Sequence, residues 1–124
     1  MSITYNPSGG NRIRAHKNDL IELKDPDDKM LALMEILGES ELIPERPGAF
    51  YTYLYRPKTA NITYDEYPLV VITSIEQWGW KGFNFHWRKS RNYTFPEVMG
   101  KMMRVDEEEL LDLLDINYAK FRRS

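Results

Sequence analysis

Between residues 30 and 37, apolar side chains recur at three- and four-residue steps, and Met30, Leu31, Leu33, Met34 and Leu37 form one stripe. That period is helical. Asp25 is a favoured N-cap, Pro26 suits the first helical position, and Asp27 and Asp28 sit where the helix dipole is positive. Gly38 supplies a left-handed stop. The spacing predicts a helix over residues 25–38.

From Ala49 the period changes to two. Ala49–Arg56, Pro68–Glu76 and Trp80–Trp87 are rich in aromatic and β-branched residues and read as strands. Leu69–Ile72 is apolar at every position, which predicts burial on both faces. Short links between these runs predict an antiparallel meander or an SH3-like partial barrel over residues 49–93. Within it, alternation puts Phe83, Phe85 and Trp87 on one face, expected in the core, and turns Asn84 and His86 outward. Tyr51, Tyr53 and Tyr55 share the face opposite Phe50, Thr52 and Leu54. A stiff, amphipathic tyrosine face suits a protein interface or the second wall of a sandwich.

Residues 94–118 turn helical. Thr94-Phe95-Pro96-Glu97 has capping-box spacing with Val98, Met99 and Met102 behind it, and Asp106-Glu107-Glu108-Glu109 repeats the signal ahead of Leu110, Leu111, Leu113 and Leu114. Two C-terminal helices are expected, the second ended by Asn117 or the basic tail. Before the first helix, residues 1–19 read as an extended arm, because Asn6-Pro7-Ser8-Gly9-Gly10-Asn11 is a loop composition. Leu20-Ile21-Glu22-Leu23 would close the arm as a strand or docking segment. The expected class is α+β in a single domain of 124 residues.

Charge changes this picture only locally. The formal net charge of -2 exerts no global pull on nucleic acid or membrane. Arg12, Arg14 and Lys17 near one end and Lys120, Arg122 and Arg123 near the other flank residues 22–46, which hold eight acids against three bases. The chain has no cysteine, which removes disulfides and thiolate metal sites and fits a reducing compartment. No apolar run reaches the ~20 residues of a membrane span, and the first residues lack the order of a signal peptide. Synthesis in the cytoplasm is expected, with the Asn61 and Asn92 sequons as chance matches.

Candidate chemistry is sparse. The two histidines, His16 and His86, have no second ligand at metal spacing, so no metal and no cofactor is expected. His86 reads as a half-buried hydrogen-bonding residue. The acids of both helix starts are explained by capping, leaving Glu66 and Glu76 beside the strands as the carboxylates open to acid–base work. No serine lies in a Gly-x-Ser-x-Gly setting and no phosphate-cradling loop occurs. The reading is therefore non-enzymatic. Contact residues are expected in Tyr51, Tyr53, Tyr55, Arg12 and Arg14, meeting other protein subunits. The alternative is single-stranded nucleic acid held by Trp80, Lys81, Arg88, Lys89, Arg91 and Tyr93, with rings stacking bases and cations on phosphates.

The patterns Tyr51-x-Tyr53-x-Tyr55-x-Pro57-Lys58, Tyr64-Asp65-x-Tyr67-Pro68-Leu69-Val70 and Gly82-Phe83-Asn84-Phe85-His86-Trp87 resemble small proteins of tailed bacteriophages. The resemblance covers roughly residues 48–95. It implies a virion or assembly component of tail, baseplate or neck, and assigns no functional residue.

Overall fold

Over residues 11–38, 44–98, 100 and 102–124, which the computed structural model describes, the chain runs through α1 (Lys17–Glu22), α2 (Pro26–Leu37), β1 (Phe50–Thr52), β2 (Thr63–Asp65), β3 (Leu69–Ile75), β4 (Gly79–Asn84), β5 (Lys89–Thr94), β6 (Met103–Val105), α3 (Leu110–Ile116) and β7 (Phe121–Arg123). The class is α+β. Five strands form an antiparallel sheet in the order β5-β4-β3-β1-β6, and β2 pairs with β7 in a separate ribbon. The sheet has two edges, β5 and β6, so it is open and no barrel closes.

Helix α2 begins and ends where its punctuation predicts. The Asp25 side chain accepts from the Asp27 N–H, and the Gly38 N–H donates to the Met34 carbonyl. Met30, Leu33 and Leu37 are buried, whereas Leu31, on the other flank of the stripe, is exposed.

Both faces of the sheet are covered. Val70 and Ile72 point into one core with Tyr51, Tyr53, Trp80 and Tyr93, while Leu69 points into another with Leu33, Met103, Val105 and Leu113. The expectation for Leu69–Ile72 follows from this: three of the four are fully buried and Val71 is half-buried. The helices supply the second core. Tyr118 joins it and donates from its hydroxyl to Thr52 Oγ1 at 2.9 Å.

Three expectations fail at the ends of the chain. Residues 11–22 are not an extended arm; a single 3-10 turn (Arg14–His16) leads into α1, and Ile13 and Leu20 are buried. Leu20-Ile21-Glu22-Leu23 therefore lies at a helix end and is no strand. Residues 1–10 of the expected arm lie outside the described residues. Of the two expected C-terminal helices, only α3 forms among the described residues, ended by Asn117 in the left-handed conformation. The Thr94/Glu97 capping box is present, but it heads one 3-10 turn (Phe95–Glu97). Beyond it, Gly100 has φ 102°, which a helix does not accept, and Met103 and Val105 alternate inward as edge strand β6 beside β1.

Candidate interaction surfaces

The tyrosine face is interior. Tyr51 and Tyr53 have no exposed surface and Tyr55 has 3%. Tyr53 meets Trp80 and Tyr93 edge-on at 5.7 and 5.8 Å, and Tyr55 meets Tyr93 at 5.0 Å, in the geometry that ring quadrupoles favour. Burial pushes the Tyr53 hydroxyl far above its usual range and that of Tyr93 up to about 12. Their role as a protein interface is thus corrected. They are core residues on one face of the five-stranded sheet, packed with Trp80 and Tyr93 of β4 and β5 in that same sheet and with Phe95 and Val98 beyond β5.

Arg12 is likewise used inside the molecule. Its Nε and Nη2 donate to both Glu109 carboxylate oxygens at 2.8 and 2.7 Å, and other donors reach the Leu37 and Arg104 carbonyls. A fork on a buried carboxylate is among the stronger polar contacts. It ties the N-terminal segment to the end of α2, to β6 and to the start of α3. Arg14 stays largely exposed, 3.5 Å from Asp112. The tail is also engaged: Lys120 pairs with Asp27, Arg122 with Glu66, and β7 lies along β2. At the C-terminal end of α3, Lys29 Nζ donates to the Ile116 carbonyl at 2.8 Å, opposite the helix's partial negative charge.

The ring set of the third predicted strand has the reverse parity. Strand β4 stops at Asn84, and its inward residues are Trp80, Gly82 and Asn84. A Cβ on Gly82 would lie 2.2 Å from Val70 Cγ1, so the backbone of β4 approaches β3 where only hydrogen fits. Phe83 and Phe85 are half-buried on the opposite side, with Phe85 against the helical core. Residues 85–88 form the turn to β5, so Trp87 swings out of register and packs at the border of the aromatic core. Asn84 and His86 do not face outward. Asn84 is fully buried, and His86 Nδ1 donates to Asp65 Oδ2 at 2.8 Å. His86 Nε2 is buried without a hydrogen-bond partner among the described residues.

Asp65 is the node of this region. Its carboxylate also accepts from the Tyr67 N–H at 3.0 Å and the Lys120 N–H at 3.3 Å. It thereby joins β2, the β4–β5 turn and the approach to β7. Neither a role for Asp65 nor this pairing is among the expectations from sequence, although Tyr64-Asp65-x-Tyr67 places a carboxylate between two aromatic positions. Glu66 and Glu76, the carboxylates expected near the strands, are held separately: Glu66 by Arg122 and Glu76 by the Ser74 hydroxyl.

Two surfaces among the described residues offer contact groups. The first is an apolar cavity of about 280 Å³ between α2 and the strand ends, lined by Met30, Leu31, Met34, Leu54, Tyr55 and Tyr67, with Asp27, Arg56 and Glu66 also on its wall. The second surrounds Trp87. The Arg91 guanidinium lies 4.3 Å from its ring centroid, Lys89 Nζ lies at 5.8 Å, and Phe121 meets it edge-on at 5.7 Å. Of the residues expected to hold nucleic acid, Trp80 and Tyr93 are core residues, and their rings cannot stack a base. Lys81, Arg88 and Lys89 are exposed and Arg91 is half-buried.

No helix among the described residues is long and apolar enough to cross a membrane, and no group of three potential metal ligands occurs among them. No family model, no curated protein and no solved structure matches the chain.

Proposed function

We propose that this chain is a non-enzymatic structural or assembly protein that docks onto another protein subunit through the cavity beside α2. The observation that carries this reading is the cavity itself. At about 280 Å³ it falls just below the span of pockets for small organic ligands, and its wall is dominated by leucine, methionine and tyrosine. Leu31 beside it is 62% exposed, although it belongs to the apolar stripe of α2. Methionines adapt to a bulky side chain offered from outside, and a single anchor in such a pocket can dominate an interface.

The resemblance to small tailed-phage proteins makes a virion the assembly in which we place it, made in the host cytoplasm and built into tail, baseplate or neck. The test is incorporation. Particles purified from cells carrying Leu31→Asp should contain less of this chain than wild-type particles. In light scattering after size exclusion, a partner subunit that binds the wild type should bind Leu31→Asp roughly 30-fold more weakly, the loss expected at an interface anchor. A wild-type chain that is strictly monomeric and absent from purified particles would overturn the reading.

A further inference from the structure

We infer that the Trp87 surface is a second, separate site, one that binds single-stranded nucleic acid. Residues 77–96 contain no Asp or Glu, and neither do residues 116–124. These acid-free stretches are far apart in sequence, and the fold brings them together. The β4–β5 turn carries Trp87 and Arg88, β5 begins with Lys89 and Arg91, and β7 lays Phe121 against Trp87. Arg123 follows Phe121 by two residues, so the two share a face of the ribbon. Arg91 Nη1 donates to the Thr63 carbonyl, and Thr63 is the register partner of Arg123. The result is a local cluster of four cations, Arg88, Lys89, Arg91 and Arg123, around two rings.

Charge pairing separates this cluster from the basic groups at the two ends of the chain. Lys24, Arg56, Lys58 and Lys81 also hold no carboxylate among the described residues, but they are scattered in sequence. Arg12, Lys17, Arg104, Lys120 and Arg122 each hold a carboxylate. Among the described residues, none of the four cations around Trp87 does. The local field is therefore uncompensated in a chain whose net charge is negative. Phe121 is 48% exposed, and the guanidinium of Arg91 is laid over the indole. A base has a π-face for both a ring and a guanidinium plane, and its phosphate suits the neighbouring cations. An acidic peptide would use the charge and leave the exposed ring idle.

Arg88 points the same way. Among the described residues, three non-glycine residues have positive φ, and two of them are asparagines, the side chain that best tolerates this conformation. The third is Arg88, with φ 61°, at the turn position where glycine is easiest. The turn keeps a cation where folding alone favours glycine.

The test uses the full chain and a fluorescein-labelled single-stranded oligonucleotide, read by anisotropy across a potassium chloride series. Binding at low salt should weaken linearly on a log–log plot. The pair Arg88→Gly with Lys89→Gln should lower the slope by about 1.4, at about 0.7 per phosphate contact. Phe121→Ala should weaken binding roughly five- to a hundredfold with the slope unchanged. Arg88→Gly relieves a left-handed backbone position, and circular dichroism with urea unfolding of each protein separates weaker binding from a folding defect. No anisotropy change at low salt overturns the inference. So does a slope indifferent to the paired variant, equal affinity for a duplex, or polyglutamate binding that matches the oligonucleotide and ignores Phe121→Ala.

Discussion

Replacing Asp65 by Ala tests the packing logic at its most concentrated point. The carboxyl is 2% exposed and accepts from the Tyr67 N–H, the Lys120 N–H and His86 Nδ1 at 3.0, 3.3 and 2.8 Å. Asp65→Ala leaves these three donors without an acceptor and removes a longer contact of 3.5 Å from Asn84 Nδ2, which keeps the Tyr93 hydroxyl. An unsatisfied buried donor costs about 1–3 kcal/mol, and the Lys120 and His86 bonds are only part-buried, where water recovers some of the loss. The sum is about 3–5 kcal/mol, against a total stability of about 5–15 kcal/mol for an ordinary domain. At about 4 °C per kcal/mol for a chain of this size, the melting temperature should fall by about 12–20 °C. Thermal unfolding measures that fall, and urea unfolding followed by tryptophan fluorescence measures the free energy, with an unchanged m-value if the unfolded state is unaltered. Asp65→Asn, which keeps one acceptor, should lose less. If Asp65→Ala costs under about 1 kcal/mol, the carboxylate does not hold ribbon, turn and sheet together, and the reasoning fails.

Arg88→Gly should raise stability by up to about 1–2 kcal/mol in the same urea assay, because glycine adopts the left-handed turn position without the Cβ penalty; a loss of stability would show that the arginine side chain holds the turn. Gly82→Ala should unfold the protein or abolish its cooperative melt, since the new methyl would sit 2.2 Å from Val70 Cγ1 on a strand hydrogen-bonded on both sides, to β3 and to β5. Acid should destabilise. Asp27 is held below its ordinary value by Lys120 and Tyr67, and Asp112 by Lys17 and Asn11; burial pushes Glu97 up, but bonds from Thr94, the Lys58 N–H and Tyr55 outweigh it. Each group is lowered on folding, so its stabilisation is complete above the unfolded value near pH 4 and disappears as pH falls through the folded one. Asp106, raised by burial and Glu109, opposes the trend singly. The melting temperature should drop between about pH 5 and about pH 2, and Glu97→Gln should flatten that slope; a pH-independent melt contradicts the assignment.

Local chemistry was enough for α2, for the end of α3 at Asn117 and for both capping boxes, because a cap is a contact between residues three or four apart. It was also enough for the class and for the double burial of β3, since an all-apolar run has no face to offer water. Composition did not decide which faces of β1 and β4 point inward. Tyr51, Tyr53 and Tyr55 look alike on an interface and in a core, and only the cluster they form with Trp80, Tyr93 and Val98 makes them interior. Phe83, Phe85 and Trp87 alternate as a core face would, yet Gly82 lets β4 settle against Val70 with the other parity and the turn begins after Asn84. Residues 103–105 became a strand because β1 had an unpaired edge for them. Arg12 on Glu109, Asp65 on His86 and Phe121 on Trp87 join positions 97, 21 and 34 residues apart. Side-chain parity and distant pairing are properties of the packed sheet, and no local window of sequence contains them.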